Sequence, residues 1–355
     1  METVIMWIMA AGALIGGADR LLGNRLGLGE KFEEAFLLLG STALSMAGII
    51  CLVPLVSWLL KLGAVPFCNA LSLDPAMLGG WLAIDMGGYQ LARELAVDTR
   101  MGDYGGIVVA ATFGCTLTFT VPMGMGILGE EERPSFAKGI LLGLGVLPVA
   151  LLIGGALCGL PVLKTLVQSI PVFLLSLALM AGLQKFPGKT ISGFSLFAEG
   201  IKALTTIGLI AGAVAYMTGW KLLPMLAPIE EAMGIVASIG VVMLGSLPVA
   251  ELLQRLLRRP MNWLGIRTGM NSSSIAGLLI SIVSVVPAIV LMKNMNPKGR
   301  VVNGAFMVCS ASMLAAHMGF VFGVNQEMVV PLLVTKVAGG VCGAAAALFF
   351  VREKD

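Results

Sequence analysis

The stretch DPAMLGGWLAIDMGGYQLAREL, residues 74–95, determines how the rest of the chain is interpreted. It is an apolar run that is interrupted at its centre by Asp85 and by the residues GGYQ at 87–90. A carboxylate at the centre of a bilayer costs about 2.5 to 3.5 kcal/mol on the most lenient insertion scale, so neighbouring groups must offset that cost. A glycine pair breaks a helix, and free backbone groups are tolerated at membrane depth only inside protein or around a wet cavity. The pattern therefore predicts a broken helix of the kind that forms ion or amine sites in transporters.

The composition is that of an integral membrane protein. Of 355 residues, 57% are hydrophobic and only 12% are charged, whereas soluble domains carry roughly 25% charged residues. A net charge of +3 is too small to indicate nucleic-acid binding, so we expect the lipid bilayer and a small solute as partners. About eleven apolar segments approach membrane-spanning length, at residues 4–17, 36–60, 76–84, 107–128, 140–159, 170–183, 197–217, 233–257, 275–292, 301–324 and 329–351.

The chain aligns with itself at a constant shift of 197 residues, which is the separation of Glu34 and Glu231. The alignment needs no gaps and predicts a first repeat at residues 1–160, a connector with one helix at 161–196, and a second repeat at 197–355. Identical positions outside the glutamate pairs include Ala35, Ser41, Met46, Gly48, Leu55, Leu59, Leu60, Gly80, Leu82 and Gly102, which match Ala232, Ser238, Met243, Gly245, Leu252, Leu256, Leu257, Gly277, Leu279 and Gly299.

The distribution of Lys and Arg tests whether residues 76–84 and their partner segment, 275–292, cross the membrane. If all eleven segments cross, the two sides receive 10 and 12 basic residues, which selects no orientation. If both segments turn back, one side receives Lys61, Arg93, Arg100, Lys164 and Lys221, and the other receives 17, which is 23 less these five and Lys336. The bias favours nine crossings, an outside N-terminus and inverted repeats. We therefore predict an all-α polytopic membrane protein of about 9 to 11 segments in two inverted repeats, with a broken or re-entrant hairpin in each.

The strongest candidate for a functional residue is Asp85, near the middle of its apolar run. Its carboxylate could receive an ammonium group, or it could cap the second half-helix near Gly88, and the two roles are compatible. Tyr89 could offer a π face to a cation or could simply pack. The predicted substrate-binding residues are Asp85, Met86, Gly87, Gly88, Tyr89, Gln90, Thr116, Ser284, Asn303, Ser310 and His317.

Two polar helix faces occupy equivalent places in the halves. One carries Thr112, Thr116 and Thr120, and the other carries Asn303, Ser310 and His317, with Thr120 aligned to His317. The faces indicate either a shared cavity or simple hydrogen bonding between transmembrane helices. His317, the only histidine, is either a proton carrier or a hydrogen-bonded packing residue.

Further charged residues lie within or beside the apolar segments. Lys336 is intramembrane by position and either neutralises a carboxylate or extends outward to the interface. The glutamate pairs at 33–34 and 230–231 are predicted to lie at helix N-termini, with a gate as the alternative. The basic run at 255–259 is interpreted as a cytoplasmic anchor.

Motifs for enzyme chemistry are lacking: the sequence has no HExxH, no GxSxG, no Walker loop and no His/Cys cluster for a metal. We therefore predict neither a catalytic residue nor a metal or cofactor. A membrane enzyme or sensor remains the alternative to a transporter. The sequence leaves the oligomeric state open, including a homo-oligomer, because small-residue faces serve internal and intersubunit contacts alike.

The strings DMGGYQLARELA at 85–96 and LMKNMNPKGRVVNGAFMVCSASMLAAHMGF at 291–320 resemble the EutH family of ethanolamine transporters. The resemblance extends nearly from end to end and includes FEEAF at 32–36 and GLQKFPGKTISGFSLFA at 182–198. It implies passage of ethanolamine across the inner membrane of a bacterium, with residues 85–90 as the recognition loop for a small hydroxy-amine.

The chain departs from the family pattern at two places. Ala315, Ala316 and His317 stand where the pattern has Gly-Asp-His, and Ser284 and Val285 stand where it has two asparagines. The second half thus lacks a carboxylate and two amides. A different amine substrate, or altered coupling to protons or sodium, is the alternative that follows.

Overall fold

This computed structural model describes residues 2–82 and 85–351, apart from the side chains of residues 85, 191 and 194. The predicted role of the Asp85 carboxylate therefore lies outside the described residues. The first half contains α1 Glu2–Leu21, α2 Leu28–Leu62, α3 Ala64–Ala70, α4 Met77–Trp81, α5 Gly88–Leu95, α6 Thr99–Ile127 and α7 Arg133–Leu157. After α8 Val162–Lys185, the second half contains α9 Pro187–Thr218, α10 Ile229–Thr268, α11 Ser272–Ser281, α12 Val285–Asn294, α13 Pro297–Ser310, α14 Ala316–Val324 and α15 Gln326–Phe350.

Every regular element in the described part of the chain is a helix, so the prediction of an all-α polytopic protein is confirmed. In the part of the chain that the structure describes, eight helices are long and apolar enough to cross a membrane: α1, α2, α6, α7, α8, α9, α10 and α15. The number is smaller than the predicted 9 to 11 because the described residues of the apolar runs at 76–84, 275–292 and 301–324 form only short helices.

The segment that contains α4 and α5 returns to the point where it began. The Asp74 carboxylate accepts hydrogen bonds from the amides of Ala76 at 3.0 Å, Val97 at 3.3 Å and Asp98 at 3.1 Å, so one side chain joins the two ends. Between them, the bare backbones of Gly79 and Gly88 let the two helices touch. The segment is a helical hairpin, which we call the first hairpin (residues 74–98).

The segment of α11 and α12 closes in the same way and is called the second hairpin (residues 271–296). The Asn271 side-chain amide donates to the carbonyl of Asn294 at 2.8 Å, and the Asn296 side-chain amide donates to the carbonyl of Gly269 at 2.7 Å. Each asparagine also caps the helix that follows it, because its side-chain oxygen accepts from the amide of Ser274 or of Gly299.

Long helices from the two halves cross at glycines. Gly48 of α2 lies against the backbone of Thr205 and Gly208 on α9, and Gly245 of α10 lies against Met9 and Gly12 on α1. A methyl group at Gly48 or at Gly245 would overlap backbone atoms of the neighbouring helix. The α2 and α10 helices also pack against each other. Helices of the first half are therefore in contact with helices of the second half at each of these places.

The long helix α6 is not a regular α-helix. Its residues Tyr104–Gly114 and Thr116–Thr120 form wider π-helical turns, whereas its two ends are α-helical. Such turns are rare and often occur at functional sites. The wide turns lie beside the first hairpin, because Gly105 and Gly106 allow α4 and α5 to approach the backbone of α6.

Candidate substrate-binding site

Met86 and His317 line the same small cavity. Residues Asp85–Gly87 form a 3₁₀ turn before α5, and Met86 in this turn is 7% exposed. The cavity measures about 10 Å³, which is about the space for one water. It is therefore closed to any larger solute in this conformation. Its lining residues are Met86, Gly106, Ile107, Ala110, Ala111, His317, Phe320 and Val321.

His317 lies at the first turn of α14, after an interruption at residues 311–315. The ring is buried, and Nδ1 lies 3.1 Å from the carbonyl oxygen of Ala311. Because a carbonyl oxygen only accepts, this contact fits the tautomer that carries a proton on Nδ1. His317 is thus a hydrogen-bonded packing residue that also lines a cavity, and its role as a proton carrier stays a prediction.

The second hairpin meets the same interruption through its backbone. The amide of Ser312 donates to the carbonyl of Ser281 at 2.8 Å, and the amide of Leu314 donates to the carbonyl of Ile282 at 2.9 Å. Ser284, a predicted site residue, follows at the N-cap position of α12 and is partly buried. The breaks of both hairpins therefore approach the loop that leads into His317. We call this region the junction (residues 85–87, 281–284 and 311–317).

The other predicted polar residues join helices around the junction. The Thr116 hydroxyl donates to the carbonyl of Val308 at 2.9 Å and thereby links α6 to α13. The Ser310 hydroxyl donates to the carbonyl of Lys336 at 2.7 Å. The Asn303 side-chain amide donates to the carbonyl of Ser274 at 2.9 Å and ties α13 to the second hairpin. Thr116, Ser310 and Asn303 thus hydrogen-bond neighbouring helices, which is one of the two roles predicted for the polar faces.

Tyr89 closes the junction on the side where the first hairpin begins and ends. Its ring meets the ring of Phe320 edge to face at 5.9 Å, and its hydroxyl lies 3.2 Å from a carboxylate oxygen of Asp103. Asp103 also accepts from Arg93 at 3.2 Å and from Asn325 at 3.1 Å. We call Tyr89, Arg93, Asp103 and Asn325 the outer cluster. Around it, Gly87 and Gly88 are buried and Gln90 is partly exposed.

Lys336 lies near the junction but is not among the predicted substrate-binding residues. The side chain is completely buried, and Nζ donates to the carbonyl of Ala111 in the cavity wall. The alternative in which it extends outward to the interface is wrong, because the ammonium group points into the bundle. A single lysine inside an apolar helix was the sequence signal that could have added it to the site.

A wider opening reaches the second hairpin from the opposite end. A cavity of about 300 Å³ is lined by Lys31, Glu34, Glu251, Gln254, Ser284 and Pro287, among others. We call it the vestibule. Both carboxylates are paired, Glu34 with Lys31 at 2.6 Å and Glu251 with Arg255 at 2.7 Å. A neighbouring cavity of about 290 Å³ shares Glu251 and Gln254 and extends to Arg258.

The prediction that both glutamate pairs lie at helix N-termini is correct for one pair only. Glu230 and Glu231 lie in the first turn of α10, but α2 begins at Leu28, five residues before Glu33. The helix starts early because the Asp19 carboxylate accepts from the amides of Leu28 and Gly29. Glu33 instead pairs with Arg20 at 3.4 Å.

A larger cavity, of about 540 Å³, lies away from the junction between α2, α6 and α9. Its lining includes Ser45, Thr118 and Lys202 together with exposed apolar side chains. Neither hairpin contributes to it. Among the described residues, no group of three or more His, Cys, Asp or Glu side chains could hold a metal ion.

Long apolar helices that surround two broken hairpins define a multi-pass membrane protein of the transporter class. The chain belongs to the EutH family, because the family profile described as "Ethanolamine utilisation protein, EutH" matches residues 1–350. The resemblance found at residues 85–96 and 291–320 is thereby confirmed.

Relatives in three bacteria match along nearly their whole lengths. The probable ethanolamine permease EutH of Listeria monocytogenes is 35% identical over 99% of this chain and 95% of its own length. The uncharacterized protein YxeR of Bacillus subtilis is 37% identical over 100% of this chain and 96% of its own length. The probable ethanolamine permease EutH of Escherichia coli is 33% identical over 100% of this chain and 97% of its own length. The name permease agrees with the prediction of a transporter rather than an enzyme. No solved structure matches the chain.

Proposed function

We propose that this protein carries ethanolamine, or a closely related small amino alcohol, across the bacterial inner membrane and binds it at the junction. Family membership and the names of the relatives from Listeria and Escherichia support the substrate. The observation that carries the position of the site is the shared cavity of Met86 and His317, where the broken hairpins approach each other.

We further propose that the two halves are inverted repeats. The shift of 197 residues sets the last residue of α6, Ile127, on the last residue of α14, Val324, and sets the first residue of α5, Gly88, on the first residue of α12, Val285. The connector is then α8. Because the proposed boundary at residue 196 falls inside α9, the second repeat is better started at Pro187.

The hairpins are proposed to be re-entrant from opposite sides. The first-hairpin ends lie beside Asp98, which pairs with Arg100 and Lys164, two of the five basic residues on the sparse side. The second-hairpin ends lie near Arg300, which belongs to the basic side and approaches Glu132. Residues 297–324 connect the two sides, since Asn325 bonds to Asp103. Nine crossings result, and the basic side is the cytoplasm.

We assign the recognition of the ammonium group to Asp85, whose backbone lies in the turn before Met86, and the recognition of the hydroxyl group to His317. His317 lines the cavity, whereas the hydroxyl groups of Thr116 and Ser310 donate to backbone carbonyls of other helices and are not among its lining residues. Small amines need few polar contacts when an apolar wall excludes water, and Phe320 and Ile107 supply such a wall.

The path to the cytoplasm runs through the vestibule. It opens beside Lys31 and Arg255 on the basic side and ends at Ser284 in the second hairpin. On the opposite side, the outer cluster closes over the junction. The conformation is therefore closed outside and partly open inside, as alternating access requires of one of its states.

Uptake of labelled ethanolamine into proteoliposomes tests this function. The wild-type protein is expected to transport, and Asp85→Asn to reduce the rate at least about 100-fold because a buried charge-assisted contact contributes roughly 3 kcal/mol. Glu94→Gln is the matched control, since Glu94 lies in α5 but forms an exposed pair with Lys61. Absence of wild-type flux would contradict transport, and normal flux in Asp85→Asn would remove Asp85 from the site.

A different amine substrate is the second candidate, because Ser284, Ala315 and Ala316 depart from the family pattern. Competition of labelled ethanolamine uptake by a series of amines and amino alcohols distinguishes the two. The same vesicles, with imposed proton or sodium gradients, report coupling. A membrane enzyme or sensor is the remaining alternative, and it predicts no flux of ethanolamine into the vesicles.

A further inference from the structure

Lys336 carries a primary ammonium group into the wall of the proposed site. It lies in α15 and is 0% exposed, which is exceptional for a lysine because burying an ammonium group costs free energy. Its Nζ donates to the carbonyl of Ala111, and Ala111 lines the cavity together with Met86 and His317. The end of this side chain is a CH₂–NH₃⁺ group, the same chemical group that a primary amine substrate presents.

The acceptor of this ammonium group belongs to an unusual part of the backbone. Ala111 lies in the π-helical turns Tyr104–Gly114 of α6, where the wider hydrogen-bond pattern alters the positions of the carbonyls. Unwound or irregular carbonyls inside a bundle are the groups that coordinate cations in transporters. The Ser310 hydroxyl holds the carbonyl of Lys336 itself, so the base of the lysine is fixed while its side chain reaches Ala111.

We propose that Lys336 is a tethered competitor: in the closed, empty protein its ammonium group occupies the backbone acceptor that the substrate ammonium group uses, and the substrate must displace it. The inference rests on the proposed function, since it assumes a primary amine as substrate. The small size of the cavity, about 10 Å³, fits this arrangement, because a site already filled by a lysine needs little empty volume.

The lysine therefore weakens substrate binding, because the substrate must first displace the lysine ammonium group from the carbonyl of Ala111. Two ammonium groups repel each other and compete for the same oxygen, so only molecules with a displaced lysine bind the amine. If the lysine occupies the acceptor in about nine molecules of ten, the apparent Kd is about tenfold higher than the intrinsic value.

Calorimetric binding of ethanolamine to the purified protein tests the proposal. Lys336→Met keeps an unbranched side chain, one atom shorter and without the charge, and is expected to lower the Kd about tenfold. Lys336→Arg keeps a cation and is expected to bind no more tightly than wild type. Lys202→Met is the matched control, because Lys202 also lies in a membrane helix but lines the larger cavity away from the junction. A folded Lys336→Met protein with an unchanged or higher Kd would overturn the proposal.

A second measurement covers the case in which Lys336→Met does not fold. Lys336→Ala vacates the ammonium position, so methylammonium is expected to raise its melting midpoint more than that of wild type. Tetramethylammonium, which has no N–H donor, is expected to act equally on both proteins. An equal response to both cations would overturn the proposal. Rescue by methylammonium without binding of ethanolamine to wild type would overturn the proposed substrate but leave the tethered cation in place.

Discussion

At the scale of residues, most polar groups near the junction are used to hold the fold. Thr116, Ser310 and Asn303 donate to backbone carbonyls of other helices, and such bonds are the usual way in which polar side chains stabilise a helix bundle in lipid. Met86 and His317 differ because both line the cavity. The chemistry of the site therefore depends on a few residues within a larger polar frame.

Asp98 makes a residue-scale prediction about pH. Its carboxylate accepts from Arg100 and from Lys164 at 2.7 Å, and these bonds hold the pKa of Asp98 well below its usual range. A depressed pKa in the folded state adds stability above the unfolded value, about 3.9, and that stability is lost as the pH falls further. Asp98→Asn keeps the N-cap of α6 but loses the charge.

We expect the melting midpoint of the detergent-purified wild type to exceed that of Asp98→Asn at pH 7, and the difference to shrink below about pH 4. Thermal unfolding of both proteins along one pH series measures it. Taking the difference cancels the titration of other carboxylates. A difference that stays constant down to pH 3 would show that the ion pairs with Arg100 and Lys164 do not stabilise the fold.

At the scale of elements, local sequence signals marked the ends of the two hairpins but not the irregular helices around them. Asp74 before a proline and Asn271 before a serine run are local capping signals, and both side chains do join the ends of their hairpins. The interruption after Ser310 has no such signal, since it contains neither Gly nor Pro. It is set by long-range bonds from Ser312 and Leu314 to the second hairpin, which a local pattern cannot reveal.

The π-helical turns of α6 were likewise not predictable. They depend on how α4 and α5 press against Gly105 and Gly106, and glycine alone is equally common in ordinary membrane helices. Of the residues that line the cavity, the sequence singled out Met86 and His317. The grouping of the cavity residues around His317, and the inclusion of Ala111 and Lys336, required the packing of elements that are far apart in sequence.

The glycine crossings make an element-scale prediction. Gly48→Ala and Gly245→Ala place a methyl group against the backbone of α9 and α1, and overpacking of this kind costs about 1 to 3 kcal/mol. Gly40→Ala and Gly234→Ala, on the same two helices, are the matched controls because nothing lies within 4 Å of the added methyl group. We expect Gly48→Ala and Gly245→Ala to have lower melting midpoints than the wild type, and the two control variants to melt as the wild type does.

Thermal melts of the four variants in one detergent measure this difference. Because the two crossings occupy equivalent places at the shift of 197 residues, both variants are expected to lose similar amounts of stability. Equal midpoints for all four variants would mean that the close approach of α2 to α9 and of α10 to α1 does not hold the bundle together.

At the scale of the whole molecule, the two ends of the bundle differ. The outer cluster, with Tyr89, Asp103 and Asn325, covers the junction at the end with few basic residues. The vestibule, about 300 Å³ in volume, reaches Ser284 from the end that carries most of them. This asymmetry is the geometry expected of a transporter whose site is closed to the outside and approached from the cytoplasm.

The most direct measurement of the central claim is a cryo-electron microscopy map of the protein in lipid nanodiscs with saturating ethanolamine. We predict ligand density between the turn Asp85–Gly87 and His317, with residues 74–98 and 271–296 entering the bilayer from opposite sides and turning back. Ligand density in the cavity between α2, α6 and α9, or a first hairpin that runs straight through the bilayer, would contradict the account.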